Sequence, residues 1–431
     1  MTIASIFILF LALIFLGIPI GMILATLGIL PNLIDPWFSA DPQYIIRAMI
    51  GGVNSFPVLA VPMFILSGNL MAKGKISEKL FNFFSFFIAN KTAGLPIATI
   101  VTCLFYGAIS GSGPATTAAV GAMAIPVLTN LGYDIVFSTA LVAVAGGLGV
   151  IIPPSIPFIF YGQSAGVSVA DIFVAGVVPG LLIGLCLMIY SWYYCKKNGE
   201  DKEKLQAYEK EVKKDGFIKL FLNSFWALLS PIIILGSIYT GVASPTEAAV
   251  ISVFYSLIVS VFIYKTIKLK DFIEILKESV GTYSTILFII AAATGFARVL
   301  TFMKAPEIIA GFITNAVSSK IAVLLVINLV LLFVGMIMDT TPAILVLTPI
   351  LLPIVVSYGV NPIHFGVMLV VNLAIGFVTP PLGINLFVAS SLTGVKVESI
   401  VKKAIPFIIA FLIALLLITF IPKTSLILLG G

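Results

Sequence analysis

Long apolar runs separated by short polar connections dominate the chain, from Ile3–Leu30 at one end to Ile405–Ile421 at the other. A helical run of about 18 or more apolar residues can cross a hydrocarbon core of about 30 Å. The pattern predicts an all-α polytopic membrane protein with about eleven full spans. The first run is long, lacks a preceding basic stretch and a small-x-small cleavage site, and reads as a retained span that starts the mature chain rather than a signal peptide. One segment interrupts the pattern: Lys196–Lys219, KKNGEDKEKLQAYEKEVKKDGFIK, holds eight Lys. It divides the chain into a first half (1–195), a charged linker (196–219) and a second half (220–431). Its basic excess places the linker on the cytoplasmic side, and its Glu and Lys spacing suits a short solvated or interfacial helix.

The halves repeat one another. At an offset of 227 to 228 residues, Gly68 matches Gly295, Gly107 matches Gly335 and Pro114 matches Pro342; Gly149 matches Gly376, Pro153 and Pro154 match Pro380 and Pro381, and Pro179 matches Pro406. An ordered ladder of this kind points to duplication. Transporters use two repeats of opposite topology to reach inward-open and outward-open states. An odd number of crossings in each half makes the repeats inverted.

Within each half the apolar pattern breaks twice. Pro96–Ile109 has 14 residues, about 21 Å as a helix, which is half a crossing. The stretch SGSGPATT follows at Ser110, then a second short apolar stretch to Leu128. Pro114, preceded by small polar residues that can cap, is a helix start. The expectation is a re-entrant hairpin at about 95–128, repeated at about 321–356 with its tip at Gly335–Pro342. Each hairpin is followed by a span interrupted by a Pro pair, GGLGVIIPPS from Gly146 to Ser155 and GFVTPPLGIN from Gly376 to Asn385. Proline removes backbone donors and drives the preceding residue out of helical geometry, so discontinuous helices are expected at about 140–163 and 365–393. Unwound backbone inside a membrane is tolerated only where it is enclosed by protein or lines a cavity, and four breaks paired by repeat point to one enclosed site.

Composition agrees: 60% of the residues are hydrophobic and 10% charged, against roughly 25% charged in soluble domains. The net charge of +6 comes from Lys and Arg scattered in connecting segments, as the positive-inside rule produces, and gives no case for nucleic-acid binding. Cys103, Cys186 and Cys195 have no metal or disulfide spacing and read as packing residues. Between Lys91 and Lys196, and again between Lys320 and Lys396, there is no Lys or Arg. The ionisable residues in these windows are Asp134, Asp171, Asp339 and His364, and of these Asp339 alone lies at a break. Carbonyls and hydroxyls at the breaks are hard donors suited to sodium, while helix N-termini favour carboxylates. With no cationic side chain to neutralise an anion, bound sodium must do so, which couples the two. Asp339 is a sodium ligand, a substrate group or a helix cap. His364 reads as a loop-edge residue, Arg298 as a side chain snorkelling to the interface, and Ser244–Glu247 as a structural capping box. Nothing resembles a nucleophile with a base, a phosphate loop or a metal cluster, so an enzyme is disfavoured.

The segments PVLAVPMFILSGNLM at Pro57, GAISGSGPATTAAVGAMAIP at Gly107, LGVIIPPSIPFIFYG at Leu148, GVASPTEAAV at Gly241, MDTTPAILVLTPILLPI at Met338 and GFVTPPLGINLFVASSLTG at Gly376 closely resemble the large membrane subunit of tripartite ATP-independent periplasmic (TRAP) transporters, over nearly the whole chain. The resemblance implies two inverted repeats arranged as an elevator, with scaffold and transport domains, in a bacterial or archaeal inner membrane. It implies two or more coupling sodium ions, the first held by Ser110, Gly113, Gly149, Ile152 and Pro154, the second by Gly335, Asp339, Thr379 and Gly383. Substrate would lie near Ser110, Ser112, Ser155 and Asn385. The family often shows a second Ser where Gly113 stands, leaving only backbone there. Implied partners are a small membrane subunit and a soluble periplasmic binding protein that delivers a C4-dicarboxylate, sialic acid or a similar carboxylate. A self-sufficient sodium-coupled carrier is the alternative within transport, and a passive channel or a structural membrane protein the alternative outside it.

Overall fold

A computed structural model describes residues 2–34, 38, 41–214, 216–316 and 319–430; Met1 and Asp215 of the charged linker lie outside the described residues. The described residues are helical and contain no strand. The first half contains α1 (Ile3–Phe15), α2 (Ile20–Ile34), α3 (Pro42–Val53), α4 (Ala60–Lys73), α5 (Ile76–Ile88), α6 (Gly94–Ser110), α7 (Gly113–Asn130), α8 (Ile135–Gly146), α9 (Ile156–Ala165) and α10 (Val169–Asn198). The linker carries α11 (Lys202–Lys213). The second half contains α12 (Gly216–Tyr239), α13 (Pro245–Ile258), α14 (Leu269–Phe302), α15 (Ala305–Ala316), α16 (Lys320–Ile337), α17 (Thr340–Ser357), α18 (Pro362–Gly376), α19 (Ile384–Thr393) and α20 (Val397–Phe420), followed by the single turn α21 (Lys423–Leu426).

Eight helices among the described residues are long and apolar enough to cross a membrane, rather than about eleven. Apolar runs overcount because they pass through helix ends. Ile3–Leu30 reads as one span, yet the chain turns at Gly17, φ +76°, and Pro19, ending α1 and starting α2. The hairpin arms α6 and α7 have 17 and 18 residues, about 26 Å each, and so are longer than the half-crossing expected. Pro96 lies inside the first turn of α6, where its missing N–H leaves no bond unmade.

Contacts between α2–α4 and α13–α14 give the relative direction of the halves. Added Cβ atoms on Gly21 and Gly28 would meet Phe288 at 2.9 Å and Phe296 at 3.5 Å, so α2 and α14 run parallel. The Thr246 hydroxyl donates to the Phe56 carbonyl at 3.1 Å, and the Ser67 and Ser256 hydroxyls are 2.8 Å apart. Further along, a Cβ on Gly74 would meet the Ser260 hydroxyl at 2.4 Å, so α4 and α13 also run parallel. The α3–α4 segment descends α14: Tyr44 packs on Phe302, Gly52 on Thr294, Asn69 Nδ2 donates to Ser279 Oγ at 2.9 Å, and Lys73 pairs with Glu278 at 3.4 Å. Gly68 in α4 and Gly295 in α14 are repeat counterparts, so these corresponding helices are antiparallel, as are α2 and α13. The two repeats are inverted.

Helices α8 and α18 form the centre, with every residue from Phe137 to Tyr161 and from His364 to Val378 buried. A helix apolar on all sides belongs inside a bundle. Packing is crosswise: α20 lies on α8 and α10 on α18, α19 packs on α7, and α17 on α9. The outer faces of α10, α12, α13 and α20 carry exposed Leu185, Trp192, Ile232, Phe254, Ile409 and Ile413, which is the surface expected where the solvent is lipid.

The inversion predicts a cross-link. With the three cysteines replaced by Ser, the double substitution Asn69→Cys and Ser279→Cys should form a disulfide in membranes under mild oxidation, scored by gel shift after protease cleavage in the linker. A pair at Asn69 and Thr294, which the antiparallel alignment separates, should not.

Candidate functional site

Each hairpin meets the broken helix of its own repeat through glycine. At the first tip α6 ends at Gly111, φ +61°, and Ser112 caps α7 through its hydroxyl, which accepts from Ala115 N at 3.4 Å. The Gly111 carbonyl accepts a hydrogen bond from Ile156 N at 3.3 Å, tying the tip to the start of α9. A Cβ on Gly107 would fall 2.8 Å from Gly149 Cα, so the backbones touch. At the second tip α16 ends at Ile337, Met338 is extended and Asp339 caps α17. The Met336 carbonyl accepts from Leu382 N at 3.2 Å, and a Cβ on Gly376 would fall 2.2 Å from the Gly335 carbonyl carbon. Gly107–Gly149 and Gly335–Gly376 are the same contact in the two repeats. The Pro153–Pro154 and Pro380–Pro381 bonds are both cis.

Around the first contact oxygen atoms converge. Ser110 Oγ lies 3.0 Å from Thr116 Oγ1, which donates to the Ser112 carbonyl at 2.8 Å. A Cβ on Gly149 would meet Thr116 Oγ1 at 2.3 Å and the Ser112 carbonyl at 2.6 Å, and one on Gly111 would meet the Pro154 carbonyl at 2.9 Å. The structure thus brings together Ser110, Ser112, Gly149 and Pro154, while a Cβ on Gly113 would meet the Phe377 ring of the other repeat at 3.0 Å and lie near the Gly146 carbonyl. Ile152 is turned away, its side chain against Gly180 of α10. Thr116 was missed in the sequence although it stands inside the tip motif.

Around the second contact Gly335, Thr379 and Gly383 cluster: Thr379 Oγ1 donates to the Ile375 carbonyl at 2.8 Å, and Gly383, φ +45°, lies against the Thr379 carbonyl. Asp339 Oδ1 accepts from Thr340 N at 2.7 Å, a local cap of α17. Asn385 bridges the repeats, Nδ2 donating to the Ala143 carbonyl of α8 at 3.0 Å while its Oδ1 is buried without a partner. Ser155 is fully buried, capping α9 and donating to the Val150 carbonyl. Neither side chain is freely presented in this state. Among the described residues no group of three His, Cys, Asp or Glu side chains could hold a metal; the donors here are carbonyls and hydroxyls, a set that fits a monovalent hard cation.

At two residues the structure adds surroundings that the sequence did not show. His364 stands in the first turn of α18, directly after the Asn361 cap, yet it is buried there, its ring nitrogens 3.3 Å from Ser425 Oγ and from the Thr419 carbonyl. It ends a polar chain in which Asn328 Nδ2 donates to Thr419 Oγ1 at 3.0 Å and Asn372 Nδ2 to Asn328 Oδ1 at 2.8 Å. Arg298 is exposed, as a side chain reaching toward the interface would be, and it also lines a cavity shared with Gln163 and Thr294. The Ser244–Glu247 capping box is present.

Residues 7–424 match the family described as Tripartite ATP-independent periplasmic transporter, DctM component. The chain is 44% identical over 88% of its length to the isethionate TRAP transporter permease DctMQ of Oleidesulfovibrio alaskensis, of which it spans 59%. It is 39% identical to the C4-dicarboxylate large permease DctM of Pseudomonas aeruginosa, over 86% of each chain. It is 33% identical to the sialic acid large permease SiaM of Vibrio cholerae, over 97% of this chain and 96% of that one. In structure it is similar to the YdaH transporter of Alcanivorax borkumensis, described as having an unusual topology, with TM-score 0.64, 13% identity and coverage of 95% and 97%. Glycine-locked hairpins, paired helix breaks and a family match along nearly the whole chain lead to one conclusion: this is a multi-pass membrane protein that belongs to the DctM family of large TRAP transporter permeases.

Proposed function

We propose that the chain carries a small organic anion inward across the inner membrane, driven by sodium, as the large subunit of a three-part system with a small membrane subunit and a soluble periplasmic binding protein that delivers the substrate. The observation that carries this reading is the pair of oxygen-rich tip-and-break units related by inversion. Each proline pair removes two amide donors but leaves its carbonyls, so each break holds more acceptors than donors. Such a surplus favours a cation. A bare anion faces an idealised cost of order 20 kcal/mol in a medium of low dielectric. Sodium bound beside it offsets that cost, and neither tip offers a Lys or Arg to do so.

In this reading the first sodium is held by Ser110, Gly113, Gly149 and Pro154 with the Ile152 carbonyl, and the second by Gly335, Asp339, Thr379 and Gly383. Substrate lies between them, reached by Ser110, Ser112, Ser155 and Asn385 once the last two exchange their present partners. Helices α6–α10 and α16–α20 form the moving domain, and α2–α4 with α12–α14 the scaffold of an elevator. The names of the three relatives, isethionate, C4-dicarboxylate and sialic acid, support an anionic substrate.

Labelled succinate, isethionate and sialic acid should be offered to proteoliposomes containing this chain and its small subunit. Accumulation of one of them should require both an inward sodium gradient and the binding protein. Sodium-driven uptake without the binding protein would make the chain a self-sufficient carrier, and gradient-independent equilibration a channel.

Asp339→Asn keeps the cap, since Asn caps as well as Asp, but removes the charge. It should raise the half-saturating sodium concentration about tenfold, equivalent to about 1.4 kcal/mol, at unchanged membrane level. A normal sodium response would leave Asp339 a cap alone. Gly149→Ala and Gly376→Ala should each insert normally yet reduce uptake below a tenth, because the added methyl meets backbone or buried hydroxyls at a packing cost of about 1–3 kcal/mol.

A further inference from the structure

The chain has two arginines among 431 residues, Arg47 and Arg298. Arg298, on α14, lines a polar cavity of about 470 Å³ bounded by α3, α9, α14 and α17. A volume of this size suits a small metabolite. Among the described residues Arg298 has no ion-pair or hydrogen-bond partner. Across the cavity Gln163 Nε2 donates to the Gly52 carbonyl at 3.1 Å, while Gln163 Oε1 is buried with no partner. Thr294, Thr301 and Ser164 add hydroxyls to the wall.

The cavity is separate from the tips. Gln163 lies eight residues beyond Ser155 along α9, about 12 Å at 1.5 Å per residue. It also lies between the two sets of helices that Proposed function treats as scaffold and moving domain.

We propose that this cavity is a second, sodium-independent binding subsite for a small organic anion, with the Arg298 guanidinium holding a carboxylate or sulfonate and Gln163 Oε1 accepting from a hydroxyl or amide on the same molecule. A planar guanidinium presents paired N–H donors that match the two oxygens of such a group. An acceptor buried without a partner costs about 1–3 kcal/mol, and a ligand hydroxyl removes that cost. The chemistry selects hydroxylated or amide-bearing anions over plain fatty acids. The subsite rests on the reading that the cargo is an organic anion, and it adds a station where the cargo is held before or after it reaches the sodium sites.

The presence of two arginines permits a test on the unaltered protein. The purified chain with its small subunit, in neutral detergent and with choline replacing sodium, is treated with phenylglyoxal, and modification of Arg298 and Arg47 is followed by peptide mass spectrometry. Isethionate, malate or sialic acid, each carrying a hydroxyl beside its anionic group, should slow modification of Arg298 at least tenfold in a saturable manner, while Arg47, exposed on α3, reacts at its original rate. Chloride at equal ionic strength should protect neither. No protection by any of the three anions, equal protection at both arginines, or protection by phosphatidylglycerol alone would overturn the assignment, the last identifying a lipid phosphate site. Sodium-driven uptake without protection at Arg298 would remove this inference only. Protection without sodium-driven uptake would remove the coupled-transport reading only.

Discussion

Backbone groups freed inside a low-dielectric bundle must find partners, and the architecture is organised around that requirement. An unsatisfied amide or carbonyl in hydrocarbon costs several kcal/mol. At the first break the Ile156 amide is matched by the Gly111 carbonyl, and at the second the Leu382 amide by the Met336 carbonyl. These bonds are possible because the hairpin and the broken helix approach to backbone contact, Gly107 on Gly149 and Gly335 on Gly376. The proline pairs reduce the number of donors that need matching, and the carbonyls left over give the site its character.

Much of this organisation was legible in the linear chain, because it is written in residues with restricted or unusual backbone behaviour. The Gly and Pro ladder registers the repeats, and Ser112 and Asp339 stand where caps are needed. The inversion was legible only as a condition on the number of crossings. Its demonstration needed contacts such as Asn69 with Ser279, between residues with no mutual signature in sequence.

What the sequence did not show depends on tertiary enclosure. Asn361–Pro362 before His364 is a sound loop signal, and Asn361 does cap α18, yet α20 and α21 cover the helix and the histidine becomes a buried partner of Ser425. Arg298 near the end of α14 has the pattern of an interface anchor and is exposed, and nothing in the sequence signals that α3, α9 and α17 line a cavity beside it. Span counting failed for a different reason: hydropathy does not register the turn at Gly17, since the residues on both sides are equally apolar.

The two repeats share a fold but not surroundings. Pro153 and Pro154 are buried, whereas Pro380, Pro381 and Leu382 are exposed. Inverted symmetry makes this inequality informative, because whatever geometry one half adopts is, in outline, open to the other with the two faces of the membrane exchanged. In the proposed transport cycle, giving the first half the environment now held by the second, and the reverse, would produce an opposite-facing conformer without new secondary structure.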